Sequence, residues 1–413
     1  MKPAILFVHT VCPSQFSDLC EYLNSAGLAD AWYMTTPGNR ERNKSRYRNL
    51  LPLEPDGNMM AANKYYYSGK VERAGRISLG LHRKLAEFLK KRKIDLIVAH
   101  GSLGSPHFVF DEFDIPVITY IEFPSYADHG WDRRYPPTEP QRLIDKNMQM
   151  LSYYEVIKSE RTLVPTEYAR RMFPEYLRDR IVARFEGMDP AKVAQREPAD
   201  IALPEGVKTL GFAARDLSSA KGLESFIAAA AHLIERGEDI HFVVIGDERA
   251  TTYGFEQLFL DRKYGSDSGV SFLEHLMRRY KVDRSRFTLT GKLPYAQFSD
   301  FVHRIDLFMY PVLFGAGNWG LIELLVRGRP VIGANRCYVP EFIEDGVNGL
   351  LIDDDKPAVW AAAVVELLAD DKRRLALGER AQTAAEAFYL PRVAGQYMAL
   401  FEEVIGQYRQ RVR

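Results

Sequence analysis

The stretch DLFMYPVLFGAGNWGLIELLVRGRPVIG, residues 306–333, changes its spacing twice. Asp306 to Val312 is an apolar run of strand length, broken by the turn residues Gly315, Gly317 and Asn318. From Trp319 the apolar positions Leu321, Leu324 and Leu325 fall at helical intervals, and Gly328 stands where a C-cap glycine would. Pro330 to Gly333 begins a second buried strand. A glycine turn feeding a helix N-terminus just past a strand end leaves backbone N–H groups beside the positive end of the helix dipole. Such a turn suits an anion, most economically a diphosphate, and it also occurs as an ordinary βα connection. Glu323, one turn into the helix, is close enough to bond a hydroxyl group of whatever carries the phosphates.

The same alternation runs through the chain. Ala4–His9, Trp32–Thr35, Asp95–His100, Pro116–Glu122, Arg161–Pro165 and a segment near Ile181–Phe185 read as strands of a first unit. Helices are predicted at Gln15–Ala26 with Ser14 as N-cap, over 70–93, over 141–159 and from Thr166. Pro37–Arg48 reads as a polar loop, and 123–140 as a long structured loop rich in aromatics and proline. Gly187–Gly206, with Pro190, Pro198 and Pro204, breaks the rhythm as a linker would. A second set follows, with strands at Thr209–Ala213, Ile240–Ile245, Arg286–Leu289, 306–312 and 330–332. Its helices are predicted at 221–236, 295–303, 320–327, 356–369 and 371–388. This pattern predicts two α/β, doubly wound domains with parallel sheets covered on both faces, about 1–190 and 205–390. Ligands of such sheets sit beyond the strand carboxyl ends.

The second half resembles the nucleotide-sugar-dependent glycosyltransferases of family 4. The resemblance rests on ELLVRGRPV (323–331), PEFIEDGVNGLLID (340–353), the basic pair Arg215 and Lys221 in ARDLSSAKG, and GKLP (291–294). The first half is similar to a narrower bacterial group of that family in FVHTVCPSQFSDL (7–19), TYIEFPSY (119–126) and LVPTEYARRMFP (163–174), with IGDERATTYG (245–254) as a further mark. The resemblance implies the GT-B fold, two Rossmann-like domains facing a central cleft, with the C-terminal helix (391–413) packing back on the first. Val393, Tyr397, Leu400 and Val404 supply that helix with an apolar face.

The resemblance also implies roles. Arg215 and Lys221 would grip the donor diphosphate and oppose its charge as it leaves. Lys292 and Leu293 lie in a loop whose backbone reads the nucleobase. Gly317, Asn318, Trp319 and Gly320 would offer backbone N–H groups to the phosphates or the sugar, although Trp319 reads equally well as a core anchor. Glu323 would bond the donor ribose. On the acceptor side, Glu122 stands where many family members carry a functional histidine; it faces the sugar cleft or is a structural carboxylate. His100 and His129 are either ligand contacts or structural hydrogen-bonders. Members of the family have two glutamates with seven residues between them, and counting back from Glu323 lands on Gly315, so the first of the pair is missing.

Composition bounds the rest. The 413 residues are 46% hydrophobic and 27% charged with zero net charge, as in a globular protein. Cys12, Cys20 and Cys337 have no metal-ligand spacing and cannot all pair internally, which predicts a reducing cytoplasm. No Asp-x-Asp motif ends a strand, so no metal and no other cofactor is expected. Residues 1–110 carry 16 Lys/Arg against 9 Asp/Glu, concentrated at 38–49 and 82–93. That excess is either solvated surface or a patch for the inner face of an anionic membrane; no nucleic-acid module is present. The expected activity is a metal-independent, retaining, hexosyltransferase-type transfer from a nucleotide diphosphate sugar to a glycan or lipid-linked acceptor in surface polysaccharide or glycoconjugate synthesis. A nucleotide-sugar epimerase of similar fold and a non-catalytic nucleotide-sugar sensor are the alternatives.

Overall fold

Strand β1 (Ala4–Val8) shows how the first sheet is built. Ile5 and Phe7 enter one core, and Leu6 and Val8 enter another on the opposite face. A strand buried on both faces reads as a continuous apolar run, which is why it was visible in the sequence. In the computed structural model, which describes residues 2–59, 65–249 and 255–412, the chain divides into two units. The first takes the residues up to His129, Thr138–Asp189 and the chain from Phe388 onward. The second takes Gly130–Pro137 and Pro190–Ala387.

The first unit adds β2 (Asp30–Thr35), β3 (Leu50–Pro52), β4 (Leu96–His100), β5 (Val117–Tyr120), β6 (Arg161–Val164) and β7 (Ile181–Ala183). They form a parallel sheet in the order β3-β2-β1-β4-β5-β6-β7. The order reverses between β1 and β4, the place where open α/β sheets hold ligands. Helix Gly69–Leu89 covers one face, and helices Ser17–Ser25 and Leu390–Arg411 cover the other. The last of these buries Val393, Tyr397, Leu400, Phe401 and Val404, with Tyr397 edge-on to Phe16 and Phe401 against Phe7.

Two local expectations fail here. The first helix begins at Ser17, with Phe16 rather than Ser14 before it. The Ser14 hydroxyl bonds to that of Tyr33 instead, and Ser17 Oγ closes a turn on the Ser14 carbonyl at 2.9 Å. The basic segment after Pro37 is a helix, Pro37–Asn43, with proline at its first turn. Asn39 and Asn43 donate to the Thr10 and Cys12 carbonyls at 2.8 Å each, and these tertiary bonds hold a segment whose own pattern is polar throughout.

The second unit holds β8 (Lys208–Asp216), β9 (Ile240–Asp247), β10 (Phe287–Gly291), β11 (Leu307–Tyr310), β12 (Val331–Ala334) and β13 (Leu350–Ile352). This sheet is also parallel, in the order β10-β9-β8-β11-β12-β13, with its reversal between β8 and β11. The segment expected to be a linker contains a short helix, Pro190–Ala194. Within 123–140, Tyr126–His129 is a helical turn and Gly130–Pro137 folds with the second unit. There Tyr135 is buried between Phe259 and Phe272 and donates to Glu224 Oε2 at 2.7 Å. Tyr280, Arg134 and Arg279 converge on Glu224 Oε1 at 2.9, 3.1 and 3.0 Å. Among the described residues, no helix is long and apolar enough to cross a membrane.

Candidate functional site

Strand β8 ends in Arg215, largely exposed, and Asp216, fully buried, with Arg215 Nε 3.4 Å from the Asp216 carboxylate. The chain then turns through Ser219–Lys221 to Gly222, whose φ is +79°. A Cβ at Gly222 would lie 1.9 Å from the Pro311 carbonyl oxygen. Glycine therefore lets the Leu223–Glu235 helix start directly against the end of β11, which carries Lys221 to the sheet reversal. Lys221 Nζ donates to Asn318 Oδ1 at 2.6 Å.

Asn318 precedes the short helix Trp319–Leu325, but its side chain does not cap that helix. Its Nδ2 donates to the Tyr338 hydroxyl at 2.5 Å, and Tyr338 lies 2.8 Å from the Tyr310 hydroxyl. Burial pushes the Tyr310 phenol up to about 12, so it keeps its proton at neutral pH. Gly317, Asn318, Trp319 and Gly320 are all half-buried at this turn. Gly315 lies beneath it, and a Cβ there would stand 3.1 Å from the Tyr338 ring. Tyr338 thus fills the space next to the position where family members carry their first glutamate. Gly328 closes the helix with φ +65°, and Arg329 N–H donates to the Leu324 carbonyl at 3.0 Å, as the spacing predicted.

Glu323 is more enclosed than its sequence position implied. Its carboxylate accepts from Tyr295 at 2.8 and 3.0 Å and from Arg327, which also donates to the Glu323 carbonyl at 2.8 Å and to Ser299 Oγ at 2.6 Å. Burial raises the Glu323 pKa, with Arg327 and Tyr295 pulling it back. Tyr295 begins the helix that follows the loop holding exposed Lys292 and half-buried Leu293. The Tyr295–Glu323 bonds therefore join the two segments that the sequence assigned separately to base and ribose. Residues 250–254, the end of IGDERATTYG, lie outside the described residues.

In the first unit, the carboxyl ends of β1, β4 and β5 bring together His9, His100 and Glu122. His100 is buried, its Nδ1 accepts from the Leu103 N–H at 3.2 Å, and its ring lies edge-on to His9 with centroids 4.7 Å apart. Burial lowers the His100 pKa, with Glu122 opposing, and lowers that of His9 further because His100 adds to the effect. Both imidazoles are therefore neutral near pH 7. Gln15 Nε2 donates to Glu122 Oε1 at 2.8 Å. Below this loop, Glu155 is buried against Ser105, and a Cβ at Gly101 would stand 2.6 Å from its Oε2. His129 is enclosed by Phe123 and Tyr126. The sequence reading missed His9, Gln15, Tyr295 and Arg327. A polar residue at the end of a central strand was the available signal for His9; Gln15 lay inside the quoted FVHTVCPSQF without being singled out.

Two family models match the chain, the glycosyl transferase family 4 group over residues 29–193 and the glycosyl transferases group 1 over residues 193–384. Together they take up both sheets and their strand ends, except β1 and His9 at its end, which precede the first match. The chain belongs to glycosyltransferase family 4. Similar curated family members include D-inositol 3-phosphate glycosyltransferase of Corynebacterium glutamicum, 25% identical over 215 residues, 52% of this chain and 48% of that one. Alpha-D-kanosaminyltransferase of Streptomyces kanamyceticus is 27% identical over 190 residues, 46% of this chain and 44% of that one. The chain spans about half the length of the curated relatives it matches. Sucrose-phosphate synthase from Thermosynechococcus elongatus superposes with a TM-score of 0.72 at 15% identity, covering 98% of this chain and 100% of that one. HepE from Anabaena in complex with UDP and glucose gives 0.65 at 13% identity, covering 97% and 100%. At these identities the structural likeness carries the fold alone, and that fold is the two-domain GT-B arrangement of parallel sheets.

Proposed function

We propose that the chain is a retaining glycosyltransferase moving a sugar from a nucleotide diphosphate donor to a glycan or lipid-linked acceptor of surface polysaccharide or glycoconjugate synthesis. The observation that carries this reading is the placement of Lys221 at the sheet reversal of the second unit, bonded to Asn318 at the head of the glycine turn, with Arg215 at the end of the adjoining strand. Two fixed cations beside a turn of half-buried backbone oppose a diphosphate and oppose it most as charge builds on the leaving group. In a front-face transfer the leaving phosphate takes the acceptor proton, which leaves Glu122 and His100 to orient the acceptor or the sugar. Gly317, Asn318, Trp319 and Gly320 hold the phosphates, Lys292 and Leu293 the base, and Glu323 the ribose. Support for a nucleotide sugar comes from HepE, a protein of the same fold solved in complex with UDP and with UDP-glucose. Both family models describe transferases, which counts against an epimerase.

The test is incubation with a panel of nucleotide sugars, read by mass spectrometry. Hydrolysis or transfer of one donor supports the reading; isomerised sugar, or binding without turnover of any donor, refutes it. The side-chain cations are expected to neutralise the diphosphate without a metal ion, so a chelator leaves turnover unchanged. The basic excess of residues 1–110 also supports attachment to an anionic membrane surface. Sedimentation with anionic vesicles should then fall steeply as salt rises, and absent or salt-insensitive sedimentation would leave a soluble acceptor as the better reading.

A further inference from the structure

We propose that Gln15 is the residue that positions the Glu122 carboxylate, and that His9 fixes the orientation of the Gln15 amide. The inference rests on the reading that Glu122 takes part in transfer, and it names residues that neither the motifs nor the family models single out.

The chain of dictation starts at the backbone. The N–H of Val11, two residues past His9, donates to His9 Nδ1 at 2.9 Å. A neutral imidazole that accepts at Nδ1 carries its proton on Nε2. His9 is only 2% exposed, its Nε2 is buried without a hydrogen bond, and the Gln15 carboxamide is the neighbouring side-chain group that acts on its ring. An N–H in that position turns the amide oxygen of Gln15 toward itself. The amide nitrogen then points the other way, where it donates to Glu122 Oε1 at 2.8 Å. The reverse orientation of Gln15 would set an oxygen against a carboxylate and an NH2 against an N–H, two repulsions instead of two attractions. His9 itself cannot rotate freely. Its ring packs edge-on to His100, which is held by the Leu103 N–H and the end of β4. Backbone amides in the loops that follow two adjacent central strands thus set, through one ring and one carboxamide, the direction of a carboxylate just past the end of a third.

Gln15 is free for this task because the first helix starts late. A helix beginning at Gln15, as the sequence predicted, would place this residue in its first turn. The structure keeps Ser14, Gln15 and Phe16 ahead of the helix, with Phe16 buried on one side and Gln15 turned to Glu122 on the other.

The experiment is a double-mutant cycle on kcat between Gln15→Leu and Glu122→Gln, using the donor that the unaltered chain turns over. Gln15→Leu should lower kcat about tenfold, leave the donor KM within about twofold, and cause no further loss once Glu122 is glutamine. His9→Leu should behave in the same way and should not add to Gln15→Leu. Full kcat in Gln15→Leu, or an equal loss with and without the Glu122 carboxylate, overturns the proposal, because a merely structural role would lower both backgrounds alike. A crystal structure of Gln15→Leu reads the geometry without any activity. Glu122 swung away from its present direction is expected; Glu122 unmoved overturns the relay. Failure of the unaltered chain to turn over any donor refutes the proposed function alone, and that crystal structure still decides the relay.

Discussion

Arg327 and Tyr295 hold Glu323 from two sides, and the Arg327 side chain is only 1% exposed. Removing the charge from one member of a buried pair leaves the other poorly compensated. Glu323→Gln should therefore cost roughly 3 kcal/mol of stability, visible as a lower melting temperature, as well as raising the donor KM. If Glu323 bonds the ribose in ground and transition states alike, kcat should change little. Tyr295→Phe gives the cleaner separation, since it spares the Arg327 pair and loses about 1 kcal/mol. Lys221→Met is a test of a different kind. The methionine keeps most of the stem and removes the charge, so nucleoside diphosphate affinity should fall roughly tenfold or more by calorimetry. Unchanged affinity would place the diphosphate elsewhere.

Helix Glu139–Lys158 carries a carboxyl group into the first unit's interior, and the consequences depend on pH. Burial pushes the Glu155 carboxyl well above its usual value, with the Ser105 hydroxyl bond opposing. The folded state therefore keeps this proton after the unfolded chain, with a carboxyl pKa of about 4.3, has released it. The contribution to stability is full below that unfolded value and is lost as pH rises toward the folded one. Glu155→Gln, of the same shape and always neutral, should melt higher than the parent at pH 8 and no higher at pH 4. In the second unit, Tyr135→Phe deletes one bond to Glu224 while the aromatic packing stays, and should cost about 1 kcal/mol in thermal unfolding. The elements themselves were largely legible. Strands buried on two faces gave continuous apolar runs, and Thr166 caps its helix through the Ala169 N–H as its residue type implied. The edge strands β3 and β13, three residues each, were not read, although β7 of the same length was; runs this short show no period. Helix starts went astray where side chains bond to distant groups, as Ser14 does to Tyr33. The same cause hid the partners of the candidate site. Lys221, Glu323 and Glu122 stood in recognisable motifs, whereas Gln15 meets Glu122 across 107 positions and Tyr295 meets Glu323 across 28, and no local spacing marks such pairs.

At the scale of the whole chain, the final helix is core rather than appendage. Val393, Tyr397, Leu400, Phe401 and Val404 bury together in the first unit, at about 1.5–3 kcal/mol each. Their sum rivals the roughly 5–15 kcal/mol that holds a typical domain folded. A chain ending at Ala387 should therefore be recovered only as insoluble material, and a soluble product with an unchanged melting curve would show the helix to be dispensable. The loop Gly130–Pro137 has the opposite allegiance, since Tyr135 and Arg134 from that loop fill the Glu224 socket. Any attempt to graft a foreign first half onto this chain inherits both facts. A single crossover near residue 190 imports a stranger's tyrosine into the socket and leaves the native last helix facing a foreign sheet. A working hybrid needs four splice points, set where the chain changes allegiance at 129/130, 137/138, 189/190 and 387/388.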